Sequence, residues 1–194
     1  GLQLTLLIFI VHRWLSGERP MAAINPAWFI PAVGNILVPL VAVPAGYVET
    51  AWFFFSIGLF FWIILSAGIL LRLVTGPALE PPMLPSLAVL IAPPSVGFLS
   101  WLLLAGELNG FGRILFYIGV GMVLILLPRI PSFLKLRYFP SWWAYTFPLA
   151  AFTVSCFRFN ATGGTVPTAL LLALTALTTL VVLVVAARTV KALI

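Results

Sequence analysis

Charged residues are scarce in this chain of 194 residues. Lys, Arg, Asp and Glu make up 7% of the sequence, hydrophobic residues make up 63%, and the mean hydropathy is +1.21. About a quarter of the residues in an ordinary soluble domain are charged, so this composition excludes that class and indicates an integral membrane protein. The basic residues stand singly between apolar runs rather than together on a polar face, so we expect no nucleic-acid partner.

Residues that carry catalysis or bind metals are equally scarce. The chain has one cysteine, Cys156, and one histidine, His12. A single cysteine allows no internal disulfide and no cysteine-based metal cluster. No ionisable side chain lies near the middle of a predicted span, where pumps, proton-coupled carriers and intramembrane enzymes generally need one. We therefore expect no enzyme, no cofactor and no metal, and we favour passive permeation.

Long apolar runs are abundant. Each of six runs meets the requirement of about 20 mostly apolar residues for a membrane helix. A further apolar run opens the chain without the basic residues that begin a signal peptide, so we interpret it as the second half of a membrane helix in a fragment of a longer protein. We predict a single transmembrane domain over 1–194, lacking N-terminal hairpins, with a partial helix at 1–16 and helices at about 27–46, 50–72, 83–106, 108–128, 140–158 and 166–188.

Prolines alternate between these spans. The first, third and fifth whole spans contain interior prolines and the other three do not; the prolines that we expect to kink their helices are Pro31, Pro93, Pro94 and Pro148. The simplest explanation is a repeated hairpin. We predict an all-α integral membrane fold of helical hairpin repeats, with proline-kinked inner helices around a pore and straight outer helices. The alternative is that proline is merely commoner in membrane helices than in soluble ones.

Basic residues between the spans predict the orientation. Eight of them fall on one side of the membrane and only Arg113 and Arg158 on the other, which is a clear positive-inside pattern. The cytoplasmic side would then carry the C-terminus and the loops with Arg13, Arg19, Arg72, Arg129, Lys135, Arg137, Arg188 and Lys191.

A few polar residues lie within the spans or at their ends. Asn35 either lines a pore or forms a hydrogen bond between helices. Thr146 is a second candidate of this kind, since its hydroxyl can bond backbone groups freed by a kink. Arg158, at the outer end of the span 140–158, either attracts anions or extends its charge to the membrane surface. Phe147 shares a helical face with small neighbours, a pattern that fits a pore plug as well as ordinary helix packing.

Four short motifs resemble a known family. They are Asn25-Pro-Ala-Trp-Phe-Ile-Pro-Ala-Val-Gly-Asn35, Ser56-Ile-Gly-Leu-Phe-Phe-Trp62, Leu90-Ile-Ala-Pro-Pro94 and Trp143-Ala-Tyr-Thr-Phe147. They resemble the fifth, sixth, seventh and ninth membrane helices of the tellurite-resistance/dicarboxylate transporter family, the bacterial TehA-type relatives of the plant guard-cell slow anion channel. By this resemblance the chain extends from the end of the fourth helix to the tenth.

The resemblance implies a role for particular residues. Phe147 matches the phenylalanine that plugs the pore in the family, and Pro31 with Pro93 or Pro94 matches its kink prolines. It also implies a homotrimer with one pore in each subunit, in a bacterial inner membrane. This chain departs from the family at Pro148, where relatives commonly have glycine.

We therefore predict a passive anion channel, or channel-like transporter, occluded by Phe147 and carrying small inorganic or organic anions across the lipid bilayer. One alternative is a secondary carrier of organic anions such as C4-dicarboxylates, or of sulfite. A second alternative, from another class, is a membrane scaffold subunit that transports nothing.

Overall fold

The computed structural model describes residues 2–17 and 23–193. Among these residues the secondary structure is helical and contains no strand. Four of the helices are long and apolar enough to cross a membrane: Val48–Thr75, Pro81–Ala105, Gly110–Leu134 and Thr168–Leu193. The prediction of an all-helical integral membrane protein is confirmed. Glu18, Arg19 and Pro20, which the sequence places in a loop and at the start of the next span, lie outside the described residues.

The chain forms two compact units, Gly1–Leu79 and Glu80–Ile194. The first unit contains α1 (Leu2–Leu15), α2 (Phe29–Val33), α3 (Pro39–Ala42) and the long helix α4 (Val48–Thr75). Short 3₁₀ segments, Pro26–Trp28 and Gly34–Leu37, precede α2 and α3. One interrupted helix therefore runs over Pro26–Ala42 and is followed by a continuous one.

Small residues let the interrupted helix of the first unit approach α4 closely. A Cβ atom at Gly58 of α4 would lie 2.6 Å from the backbone nitrogen of Ile36, so only glycine fits there. From the other side, Gln3 of α1 donates a hydrogen bond from Nε2 to the carbonyl of Pro31 at 3.3 Å. The stacked rings of Trp14 and Trp28, 4.6 Å apart, join the ends of the two elements.

The second unit repeats the alternation twice. A 3₁₀ segment, Pro81–Ile91, continues into α5 (Ala92–Ala105), and α6 (Gly110–Leu126) leads through a 3₁₀ turn, Leu127–Arg129, into α7 (Ile130–Leu134). A second 3₁₀ segment, Pro140–Tyr145, continues into α8 (Thr146–Ala161), which is followed by the continuous helix α9 (Thr168–Leu193).

The core of the second unit lies where α5 meets α6 and α8. The hydroxyl of Ser155 on α8 shares its one hydrogen between the backbone carbonyl of Ser95 on α5, at 2.9 Å, and that of Ala151 in its own helix, at 2.8 Å. Further along, the rings of Phe116 and Phe159 stack at 3.9 Å, and Phe98 lies 5.4 Å and 6.1 Å from them. Such packing explains why 78% of the apolar window in Pro81–Ala105 is buried, against 11–28% in the other three long helices.

The kink prolines share one local position. Pro31 is the third residue of α2, Pro93 and Pro94 are the second and third of α5, and Pro148 is the third of α8. The first residues of α5 and α8 donate their N–H groups to the preceding 3₁₀ segment, Ala92 to Val89 and Thr146 to Trp143. Proline has no N–H to donate, so each proline lies where this bonding pattern changes. Each helix restarts in α geometry just before its proline, directly after a 3₁₀ segment.

Candidate pore-lining site

The gate candidate Phe147 is the second residue of α8. The 3₁₀ segment before it ends at Tyr145, and Thr146 begins the α-helix. The hydroxyl of Thr146 donates to the carbonyl of Trp143 at 2.8 Å, across the junction between the two geometries. The side chain and the backbone N–H of Thr146 thus both donate to the carbonyl of Trp143.

The two faces of α8 differ in burial. Pro148, Phe152, Ser155, Cys156 and Phe159 are buried against the rest of the second unit. On the opposite face, Phe147 is 49% exposed and Val154 is 48% exposed. The described residues leave about half of each of these two side chains exposed, so the two side chains form an exposed apolar stripe along the helix.

The stripe continues at both ends. Trp143, one turn before Phe147, is 46% exposed, and Ala150 lies between Phe147 and Val154 with a methyl group only. Arg158 is exposed in the last turn of α8 and follows Val154 by four residues, which puts it on the same face. A ring, a small gap and a cation thus follow one another along one side of α8. We call Trp143, Phe147, Ala150, Val154 and Arg158 the α8 stripe.

Asn35 lies in a different setting. Its side chain is fully buried in the first unit, and Nδ2 donates to the carbonyl of Ala32 at 3.0 Å, within its own interrupted helix. Among the described residues its Oδ1 accepts no hydrogen bond. The bond that the structure gives Asn35 is therefore local, and it neither joins two helices nor reaches an exposed face.

The loop cations are not alike. Lys135 is exposed, and Arg13 is exposed in the last turn of α1 with its guanidinium 5.8 Å from the Phe9 ring. Arg72 is only 4% exposed, and its Nη1 donates to the carbonyl of Pro77 at 2.6 Å. Its charge lies at the C-terminal end of α4, where a cation is favoured by the helix dipole. Arg72 thus binds the turn that follows its own helix.

A polar centre that the sequence does not reveal forms around Thr189 in the second unit. Thr189 of α9 lies 2.7 Å from the hydroxyl of Tyr138, accepts from Nε1 of Trp143 at 3.1 Å, and contacts the carbonyl of Val185 at 2.8 Å. Thr189 is one of several threonines in an apolar helix, and the signal that distinguishes it, contact with an aromatic pair some fifty residues earlier, is not visible in the sequence.

The described part of the chain contains no group of three or more His, Cys, Asp or Glu side chains that could hold a metal ion. The available chemistry is an apolar helix face with one cation at its end, on a helix that is interrupted near the aromatic ring. The fold and this face define a multi-pass helical membrane protein.

Comparison with known proteins shows the family. The family described as SLAC1: Voltage-dependent anion channel matches residues 1–190. The chain belongs to this family, which includes the TehA-type proteins of the tellurite-resistance/dicarboxylate transporter group. The resemblance found in the sequence is confirmed. The family consists of anion channels and transporters, so the expectation that the chain is not an enzyme is confirmed as well.

Individual relatives come from plants, bacteria and archaea. The chain is 30% identical to the guard cell S-type anion channel SLAC1 of Arabidopsis thaliana, with 86% of this chain and 30% of that protein aligned. It is 26% identical to the tellurite resistance protein TehA homolog of Haemophilus influenzae, over 77% of this chain and 46% of that one. An uncharacterized transporter of Methanocaldococcus jannaschii, MJ0576, is 27% identical over 80% and 51%. The chain therefore spans between about a third and a half of these relatives.

Proposed function

We propose that this chain is part of a passive anion channel, or channel-like anion transporter, whose pore is occluded by Phe147. The observation that carries the proposal is the α8 stripe: a phenylalanine ring on an uncovered apolar face, beside the restart of an interrupted helix. Family membership supports anions as the transported class.

The roles within the stripe follow from size and charge. The Phe147 ring blocks the path, and the small Ala150 beside it leaves room for the ring to turn. Apolar constrictions can gate by size and dewetting, without an ionisable group. Arg158 at the end of the stripe raises the local concentration of anions, because an exposed cation at a narrow mouth attracts them. Thr146 holds the start of the helix.

The kink prolines act locally in this proposal. Pro31, Pro93, Pro94 and Pro148 each allow an α segment to restart after a 3₁₀ segment, so each interrupted helix bends at a fixed place. Asn35 stiffens one such break through its bond to Ala32.

We further propose the setting that the sequence predicted. Residues 1–194 belong to a single transmembrane domain of a bacterial inner-membrane protein that assembles as a homotrimer. The loops with Arg13, Arg72 and Lys135, and the C-terminus, face the cytoplasm. The excess of cations on that side supports this orientation. Accessibility labelling that found Lys135 and Arg188 on the periplasmic side would overturn it.

Voltage clamp on the complete gene product tests the gate. Phe147→Ala removes the ring and leaves the helix with a better helix former. We expect a large current in this variant and little in the parent, reversing at the equilibrium potential of chloride or nitrate as the gradients are changed. Phe53→Ala is a matched control, because Phe53 is exposed to the same degree (50%) but belongs to α4. Equal currents from the two variants would refute the gate.

The secondary carrier remains the second candidate, since some relatives are named as transporters rather than channels. A carrier predicts uptake of a labelled C4-dicarboxylate or of sulfite with no current in either variant. A scaffold subunit predicts neither current nor uptake. The same cells can be used for both measurements.

A further inference from the structure

Thr189 joins the outer helix α9 to the segment that leads into the gate helix. Tyr138 lies just before the 3₁₀ segment Pro140–Tyr145, and Trp143 lies within it. Their side chains reach one hydroxyl group: Tyr138 OH lies 2.7 Å and Trp143 Nε1 lies 3.1 Å from Thr189 Oγ1. The segment is thus held to α9 at two places by a single atom.

The direction of each hydrogen bond follows from its chemistry. An indole N–H can only donate, so Thr189 accepts from Trp143. The hydroxyl has one hydrogen, and a bond from it to the carbonyl of Val185, at 2.8 Å, uses that hydrogen. Tyr138 then donates into the remaining lone pair. One donated and two accepted bonds use the full capacity of the hydroxyl, so serine is the natural substitute and valine cannot replace it.

Trp143 connects this centre to the gate. It precedes Phe147 by four residues in the α8 stripe, and its carbonyl accepts the hydroxyl of Thr146 at 2.8 Å. The segment that contains Trp143 is 3₁₀, a geometry with poorer hydrogen bonds than the α-helix, so its position depends on contacts from outside. A shift of Trp143 away from α9 therefore moves the start of α8, and the Phe147 ring moves with it.

We propose that Thr189 is a positioning residue that holds the start of the gate helix in the occluded arrangement, so that loss of its hydroxyl increases anion conduction. The inference rests on the proposed function of Phe147. It adds a residue on an outer helix whose effect on conduction is transmitted through Tyr138 and Trp143.

The first test compares currents in the complete gene product. Thr189→Val keeps the shape of the side chain and removes both accepted bonds, so we expect the current to rise about fivefold or more. Thr189→Ser should restore the parental current. Tyr138→Phe removes one of the two bonds and should give an intermediate rise. Thr175→Val is a matched control, because the hydroxyl of Thr175 of α9 bonds, within the described ranges 2–17 and 23–193, to the carbonyl of Leu171 in its own helix and to no other group.

A combined variant shows whether the effect passes through the gate. If Thr189 acts by positioning Phe147, Thr189→Val adds nothing to the current of Phe147→Ala. A Phe147→Ala variant that conducts, alongside a Thr189→Val variant that conducts no more than Thr175→Val, overturns the role of Thr189 and leaves the gate intact.

A second readout does not depend on current. Val154→Cys, in a Cys156→Ser background, introduces a thiol into the α8 stripe between Phe147 and Arg158. A water-soluble thiol reagent added on the Trp143 side must pass Phe147 to reach this thiol, so the rate of reaction measures access past the ring. Thr189→Val should raise the rate several-fold, and Thr189→Ser should not. An unchanged rate refutes the positioning role, even if Phe147→Ala fails to conduct and the proposed gate is wrong.

Discussion

Replacing Gly58 with alanine tests the closest helix contact in the first unit. The new Cβ atom would lie 2.6 Å from the backbone nitrogen of Ile36 and 3.0 Å from its Cα and Cβ atoms. The nearest atom is backbone, which cannot turn aside as a flexible side chain can. Ordinary contact begins at 3.4 Å, so α4 and the interrupted helix must separate by about 0.8 Å at this point. Overpacking of this kind typically costs about 1–3 kcal/mol.

A glycine on the same helix provides the control. Gly68 has no atom within 4 Å of the position of a Cβ, so Gly68→Ala changes only helix propensity, which favours alanine by up to about 1 kcal/mol. Both variants gain this propensity, and only Gly58→Ala meets Ile36. The difference between them therefore isolates the steric term.

The assay is thermal unfolding of the purified complete protein in detergent, followed by circular dichroism. For a protein of about 150–250 residues, 1 kcal/mol corresponds to about 2–4 °C in Tm, and the shift is smaller for a longer protein. We therefore expect Gly58→Ala to unfold a few degrees below Gly68→Ala. Equal Tm values for the two variants would show that the helices separate at no cost, and the close packing of α4 on the interrupted helix would be wrong.

Three further substitutions test the second unit. Ser155→Ala removes the hydroxyl that donates to Ser95, and we expect a loss of about 0.6 kcal/mol in unfolding free energy, the usual size of an interhelical hydrogen bond in membranes. Gly164→Ala places a Cβ atom against the Phe159 ring, so we expect a loss of about 1–3 kcal/mol, measured by the same thermal assay. Arg158→Gln removes the cation at the end of the α8 stripe, and we expect a several-fold lower anion current in the Phe147→Ala background at low salt, and a smaller difference at high salt.

Two of these substitutions have a matched control variant, and Ser155→Ala is compared with the parent. Gly121→Ala, on α6, has open space around its Cβ position and should not lower Tm. Arg113→Gln removes a cation whose guanidinium lies 5.8 Å from the Phe159 ring rather than on the stripe, so it should leave the current unchanged. If Arg113→Gln and Arg158→Gln lowered the current equally, the proposal that Arg158 attracts anions to the end of the pore would be incorrect. If the Ser155→Ala protein had the same Tm as the parent, the hydrogen bond from Ser155 to Ser95 would not contribute to stability as predicted.

Much of the fold was predictable because it depends on composition and on proline. Apolar runs long enough to cross a membrane predict an all-helical membrane protein, and interior prolines mark the helices that the structure shows as interrupted. The family could be recognised from short motifs around Pro31, Pro94 and Phe147. Each of these signals is a short stretch of sequence, so it can be recognised without knowing which distant segments contact one another.

Contacts between distant segments were not predictable. The sequence predicts that Arg72 is a cation in a loop. In the structure Arg72 is buried, and the carbonyl of Pro77, which follows α4, accepts its hydrogen bond. Thr189 reads as one more threonine in an apolar helix, and its role depends on the position of Tyr138 and Trp143. Threonine and arginine tolerate many environments, so their identity alone does not determine their partners.

The interrupted helices bear most directly on how the proposed gate moves. Pro148 lies in the middle of the predicted span 140–158 and in the first turn of α8, where it has no N–H to donate to the 3₁₀ segment before it. What the proline allows is the change of geometry just before it, from the 3₁₀ segment that ends at Tyr145 to the α-helix that begins at Thr146. Phe147 follows that junction by one residue. Any rewinding of the 3₁₀ segment therefore rotates the ring directly, whereas the helix beyond Pro148 stays packed through Phe152 and Ser155.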